Sequence, residues 1–341
     1  MSGAGSASVS VIVTGAHRTE ELAACLDLLS RQRRAPHEVL VVGRDAEDQQ
    51  QAIQACGGDI VALIDSTSRP APTWLDKLTA PYGDPAVAGV GGPIICGDGS
   101  AAEGRVSEIG RLLPNGSITM GFGLDPGRPV LTDHLPHGNA SFRRAELRRA
   151  SGLLGPRALP EHRSATLISL TLRAAGSRLV FEPAACVTAP STEFPPGQDP
   201  FSYRDRYLHN RDLVVMLIEA FGWRSPYATR FARTMLRRQQ EHVRRFVRTA
   251  APRGAEEPGG GPASSAESWK ALLWIPTDTA GVAAGFAHAA RRSMPGRRQS
   301  LLQTLSRASP RSRTPGHSRR ASPQAGANHR PVPRPTRRLP G

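Results

Sequence analysis

Residues 59–75, DIVALIDSTSRPAPTWL, join a short apolar run to a polar turn and then to a new helix. Ile60 to Ile64 are aliphatic and partly β-branched and read as a buried strand, and Asp65 stands where that run stops. In open α/β sheets ligands sit beyond the carboxyl ends of the strands, so an acid at such an end points into the usual binding crevice. Asp65 is therefore the first candidate for a functional role. The alternative is a carboxylate that only caps the turn ahead of Pro70 and Pro72.

Outward from this stretch, residues 8–13 (SVSVIV) and 38–42 (EVLVV) read as two more strands, the second apolar on both faces as a central parallel strand is. Helices are expected from Thr19, with Leu22, Cys25, Leu26 and Leu29 at helical spacing, and over 45–55, closed by Gly57 and Gly58. This alternation argues for a parallel sheet covered by helices on both faces. A helix starts at Pro72 with Trp74, Leu75 and Leu78, and 86–90 is a strand ending in Gly91 and Gly92, where backbones approach closely or turn sharply. Residues 94–133 are Gly-rich, leave room for one or two short strands, and match no phosphate-loop spacing. PHGNASFRR (136–144) reads as a turn into a helix over 145–151, followed by a helix over 166–175 and short strands at 178–181 and 185–187. Beyond 201 the pattern is helical: 208–221 is apolar, and 228–248 sets Phe231, Met235, His242 and Phe246 on one face with Arg on the others.

The 341 residues are 39% hydrophobic and 5% aromatic, enough for one sizeable core but thin for folding throughout. Residues 291–341 contain no Asp or Glu and 13 Arg, so they carry all but +2 of the formal +15 charge. A pI near 11.1 thus describes the tail and gives no reason to expect a specific nucleic-acid partner. Cys25, Cys56, Cys96 and Cys186 lack metal-ligand spacing and read as small buried residues in a reducing compartment. No apolar run has the length of a membrane span, and residues 1–7 lack the features of a signal peptide, so the expected location is cytoplasmic.

Taken in order, VSVIVTGAHR (9–18), EVLVVGRDAED (38–48), the 59–75 stretch, VAGVGGP (87–93), HGNASFRR (137–144) and LTLRAAGSRLVFEPAACV (170–187) resemble the family-two inverting glycosyltransferases. The resemblance implies a GT-A, nucleotide-diphospho-sugar transferase fold: a Rossmann-like mixed sheet with a helical C-terminal extension. It divides the chain into a transferase-like domain (8–200), a helical extension (201–250), a flexible linker (251–267), a helical segment (268–290) and a disordered Arg-rich tail (291–341). It also implies transfer of a sugar from a nucleotide-diphosphate donor to a hydroxyl of a glycan or lipid-linked acceptor of the cell envelope, with inversion.

By the same resemblance Thr14, Gly15, Gly43 and Asp65 line the donor site, and Gly138 and Asn139 lie on the acceptor side, although Gly-Asn also forms turns. Asp65 and Thr67 occupy the Asp-x-Asp positions that hold Mg²⁺ or Mn²⁺, with Thr67 in place of the second acid, which implies a weakened metal site. Gly43 and Arg44 stand where the family has an acidic pair for uracil and ribose, and the segment before the third strand is short. Ser164 and Ala165 fall on the Glu-Asp pair that supplies the base, and Ala189 on a later His. Glu161, with His162, is the substitute base, or else a solvated charge at a helix entry. These departures keep a second class open, a catalytically impaired relative that binds a partner or a sugar. A plain dinucleotide-binding protein is disfavoured, because 14–18 has no G-x-G-x-x-G. The 228–248 helix and the Arg-rich tail suggest peripheral contact with an anionic membrane at the inner face of the plasma membrane, Phe231, Met235, Phe246 and Val247 entering the lipid. The alternative is that the helix packs its apolar face on the domain.

Overall fold

The structure, a computed structural model, describes residues 7–15, 19–43, 46–96, 105–154, 164–189, 202–250 and 263–293. The chain opens with β1 (Val9–Thr14), α1 (Thr19–Ser30), β2 (Glu38–Val41), α2 (Ala46–Ala55) and β3 (Ile60–Asp65). β1 lies between β2 and β3, parallel to both. The sequence of β1 and β3 shows no polar alternation because both faces are covered: Val9, Val11 and Val13 enter one core, while Ile12 enters the other.

The following elements are β4 (Arg69–Pro70), α3 (Trp74–Thr79), β5 (Val87–Gly91), β6 (Ile94–Cys96), β7 (Val130–Thr132), β8 (Asn139–Arg143), α4 (Arg144–Leu154), α5 (Ser164–Ala174), β9 (Arg178–Phe181) and β10 (Val187–Ala189). They complete a seven-stranded sheet of order β2-β1-β3-β8-β5-β9-β7 and a three-stranded sheet of order β4-β10-β6. The large sheet is mixed. β8 runs antiparallel to both β3 and β5, and β7 antiparallel to β9. The mixed α/β fold with a helical C-terminal region is thus as expected, and the opening strands β1, β2 and β3 are parallel as their alternation with helices suggested.

The run 136–144, expected as a turn, is mostly strand β8, and its composition explains the difference. Ala140 and Phe142 pack in one core, whereas Asn139 and Ser141 face the other and satisfy their polar atoms there. Ser141 Oγ pairs with Tyr82 Oη at 2.9 Å and donates to Val90 O at 3.1 Å. The expected close approach after β5 is present: a Cβ on Gly92 would lie 1.9 Å from Ala185 O.

One face of the sheet is covered by α1, α3 and the small sheet, and the other by α2, α4 and α5. Outside α5 stack α6 (Tyr203–Phe221), α7 (Tyr227–Ala250) and α8 (Ala263–Ser293). α8 begins inside the region expected as linker, where Ala, Ser and Glu continue a helix, and Pro276 does not end it. Residues 291–293 finish α8, and the rest of the expected tail lies outside the described residues. Phe231 and Met235, expected at a lipid surface, are only 2% and 7% exposed and join the core formed with α6. Among the described residues, no helix is long and apolar enough to cross a membrane.

Candidate functional site

β1, β3, β5 and β9 end on one edge of the large sheet, and most of the expected site residues meet there. Thr14 pairs with Asp65 across β1 and β3. The pairing continues past the strands, since Ser66 N donates to Thr14 O at 2.8 Å and Ser66 Oγ to Gly15 O at 2.9 Å. Gly15, with φ of 77°, turns the chain away from the edge in a conformation that side chains disfavour. Gly43 follows Val42, whose N–H donates to Val13 O, so it sits two strand spacings from β3, about 10 Å away.

Asp65 is half-buried. Its Oδ1 accepts from Thr67 N at 2.9 Å and from Thr67 Oγ1 at 2.7 Å, which fixes the turn and brings both candidate metal ligands together. Oδ2 accepts no hydrogen bond among the described residues. Arg69 holds the same turn from outside, its Nη1 donating to Thr67 O at 2.9 Å. Gly138 closes the other side: its φ is 89°, its carbonyl accepts from Asp65 N at 3.4 Å, and an added Cβ would meet Asp65 Cβ at 3.3 Å. Cys25 Sγ lies 3.9 Å from Asp65 O, but burial pushes its thiol up to about 11, against a smaller opposing pull from Arg69, so it is no nucleophile near neutrality.

Asn139 corrects the expectation that it meets an acceptor. It is wholly buried, its Oδ1 accepts from Trp74 Nε1 at 2.8 Å, and its Nδ2 donates to Pro93 O and Ala185 O, each at 2.9 Å. An amide has two donors and one acceptor oxygen, so the side chain is committed to holding α3, β6 and the turn before β10 together. Ser164 and Ala165, at the start of α5, are both wholly buried, and Ser164 Oγ has no partner. Glu161 and His162 lie outside the described residues.

Sequence reasoning passed over one more carboxylate on this edge. Glu182 follows β9, is 8% exposed, and its Oε1 accepts from Ala184 N at 3.0 Å. Its position after an apolar strand was the available signal. Three strand spacings, about 14 Å, separate it from Asp65, so the two cannot share an ion. No group of three or more His, Cys, Asp or Glu side chains able to hold a metal occurs among the described residues. Asp65 and Thr67 nevertheless suit Mg²⁺ or Mn²⁺ bound mainly by phosphate oxygens and water, a mode that needs only one or two protein ligands.

No family model and no curated protein matches the sequence. Solved structures similar to this chain are glycosyltransferases. Mannosyltransferase PcManGT from Pyrobaculum calidifontis, in complex with GDP-Man and Mn²⁺, shares 15% identity at a TM-score of 0.41, over 88% of this chain and 80% of that one. GalNAc-T7 with UDP, GalNAc and Mn²⁺ shares 12% at 0.46, over 86% of this chain and 59% of that one. S. aureus TarS 1-349 in complex with UDP shares 14% at 0.44, over 88% and 91%. At these values the likeness carries no argument about fold, substrate or activity.

Proposed function

We propose that the sheet edge around Asp65 binds a nucleotide-diphosphate sugar and that the chain transfers the sugar to a hydroxyl acceptor with inversion. The observation that carries this reading is the Asp65–Thr67 turn, which holds a half-buried carboxylate at the end of β3 with Oδ2 uncommitted, flanked by Gly15 and Gly138. Those two glycines add no side chain beside the Asp65 turn, where a diphosphate would lie. Asp65 Oδ2 and Thr67 Oγ1 are the protein's ligands for a divalent cation. When bound, Mg²⁺ or Mn²⁺ offsets the charge that develops on the departing diphosphate.

In the inverting reaction the acceptor oxygen attacks the anomeric carbon, that bond forms as the carbon–oxygen bond to the diphosphate breaks, and the acceptor's proton passes to a carboxylate. Glu161 is our candidate for that carboxylate, from the 155–163 segment that leads into α5. A glycan or lipid-linked acceptor of the cell envelope, reached from the cytoplasmic face, fits the resemblance. Contact with anionic lipid belongs to the same proposal, carried by Leu236, Val243 and Val247, the exposed apolar residues of α7.

The second reading is a protein that binds donor without turnover, favoured by the loss of the acidic pair at Gly43 and Arg44 and by the burial of Ser164 and Ala165. Thermal-shift titration with UDP-, GDP- and TDP-sugars, with and without Mn²⁺, separates the two when combined with a hydrolysis assay. We expect metal-dependent stabilisation that Asp65→Ala abolishes, and slow donor hydrolysis that falls about 100-fold in Glu161→Gln while binding survives. Equal binding by wild type and Asp65→Ala removes the metal role. Binding without hydrolysis selects the second reading.

A further inference from the structure

A cavity of about 470 Å³ lies between α6, α7, α8 and the loop around Ser117, within the size range of small-molecule sites. It is not part of the Asp65 edge. The loop that forms one wall is tied to Asp133 through Leu112 N, and Asp133 follows Thr132, which pairs with Leu179 near the start of β9. Asp65 lies at the end of β3, on the opposite edge of the sheet.

The walls are part apolar, from Ile118, Leu213, Phe231 and Met235, and part polar. The polar part has an unequal balance of donors and acceptors. Asp278 is fully engaged, its Oδ2 accepting from Arg206 Nη2 at 2.6 Å and its Oδ1 from Asn210 Nδ2 at 2.8 Å. Asp205 accepts from Ser202 Oγ at 2.6 Å. Asp205 keeps acceptor capacity on its other oxygen, while two buried donors and a guanidinium in the lining have no acceptor among the described residues. Arg206 stacks over the Trp274 ring at 4.4 Å and its Nε–H is buried without a partner, and Ser117 Oγ is buried without one too. Arg238, on the fourth turn of α7, makes no ion pair among the described residues. Buried donors without acceptors are uncommon in folded proteins, and here they share a cavity with an unpaired guanidinium.

We propose that this cavity is a second ligand site, which takes a small amphipathic anion. Its carboxylate or phosphate oxygens would accept from Arg238 and Ser117, with the adjacent Arg206 Nε–H as a further donor, while an apolar body lies against Phe231, Met235 and Leu213. Guanidinium and hydroxyl donors suit an oxyanion; of the two carboxylates in the lining, Asp278 is neutralised by Arg206, and Asp205 is held by the neutral Ser202 hydroxyl. The proposal stands independently of the donor reading at Asp65.

Calorimetric titration of the full chain with octanoate and with octyl phosphate tests it, with octanol and inorganic phosphate as single-feature controls. One of the two amphipathic anions should bind at least about tenfold more tightly than either control, since both parts of the ligand contribute. Which of the two binds better tells a carboxylate ligand from a phosphate ester. Arg238→Gln, a change at an exposed position that leaves the fold intact, should weaken that binding about tenfold or more, and Ser117→Ala should weaken it less. Asp65→Ala should leave it unchanged. The proposal is overturned if neither anion binds more tightly than about 10 mM, if octanol binds as well as the anions, if Arg238→Gln has no effect, or if Asp65→Ala removes the binding.

Discussion

Replacing Asn139 with Ala separates a structural role from an acceptor-binding one. The substitution removes three hydrogen bonds at once, to the Trp74 indole N–H, Pro93 O and Ala185 O. The three losses differ in weight. Trp74 is wholly buried, so its N–H would be left with no water to turn to, a cost of about 1–3 kcal/mol. Ala185 O loses a partner in an equally closed setting, at a similar or slightly smaller cost. Pro93 O keeps its bond from Val187 N at 3.1 Å and so loses less. With the void left by the amide, the total comes to about 3–5 kcal/mol, a large fraction of the roughly 5–15 kcal/mol that holds an ordinary domain. Equilibrium unfolding in urea measures it as a fall in midpoint at constant slope. A loss below about 1 kcal/mol, together with a raised acceptor KM, would refute the reasoning and return Asn139 to the acceptor side.

Gly138→Ala should cost about 1–2 kcal/mol and weaken metal-dependent donor binding, because φ of 89° strains any side chain and the new methyl presses on Asp65; thermal shift with and without Mn²⁺ reads both effects. Burial holds the Cys25 and Cys56 thiols at about 11 against an ordinary 9.0, so both should resist thiol reagents at pH 8 until the chain unfolds. The sign of the linkage follows: a raised folded pKa leaves stability whole below pH 9 and removes it between pH 9 and 11, by up to about 3 kcal/mol for each thiol, as urea midpoints across that range would show. Changing Arg233, Arg237 and Arg244 together to Gln should abolish sedimentation with anionic vesicles and leave neutral vesicles unbound as before; equal recovery of wild type in the supernatant with both lipids removes the membrane contact.

β1 and β3 were legible because a strand covered on both faces has to be apolar throughout, and VSVIV and IVALI have few other readings, whereas β2, read as a central strand, is the edge strand of the large sheet, with Leu40 its one buried residue. β8 was not, although it is as deeply buried. Its Asn139 and Ser141 occupy core positions with hydrogen bonds made to α3, the neighbouring strand and the segment after it, and no hydropathy pattern reveals a polar residue whose partners lie about 50 to 65 positions away. Of the small sheet, short strands were expected at 185–187 and within 94–133, close to β10 and β6, but not their pairing or β4, since strands of two or three residues hold too few positions to show a period. For α7 the amphipathic pattern was legible but not the partner of its apolar face, since burial against α6 and insertion into lipid demand the same spacing.

The same contrast applies to the candidate site. Asp65 could be found from its place at a strand end, and Thr67 from the resemblance to an Asp-x-Asp motif, but the surface they face is set by 137–144. Gly138 lies against Asp65, while the next side chain, Asn139, grips Trp74, so consecutive residues of one segment clasp both halves of the 59–75 stretch. A rigid clasp of this kind fixes the carboxylate relative to α3, and it also removes the amide from the list of groups that could meet a substrate. Among the described residues the acids on this edge then reduce to Asp65, with Arg69 on its turn, and Glu182 about 14 Å away and occupied in its own turn. A carboxylate at this place repels a diphosphate, which favours a donor that arrives with a divalent cation, and if Asp65 holds that cation another carboxylate has to take the acceptor's proton. Cation dependence and the effect of Glu161→Gln are therefore linked: if donor binding needs no divalent ion, the case for Glu161 as base weakens with it.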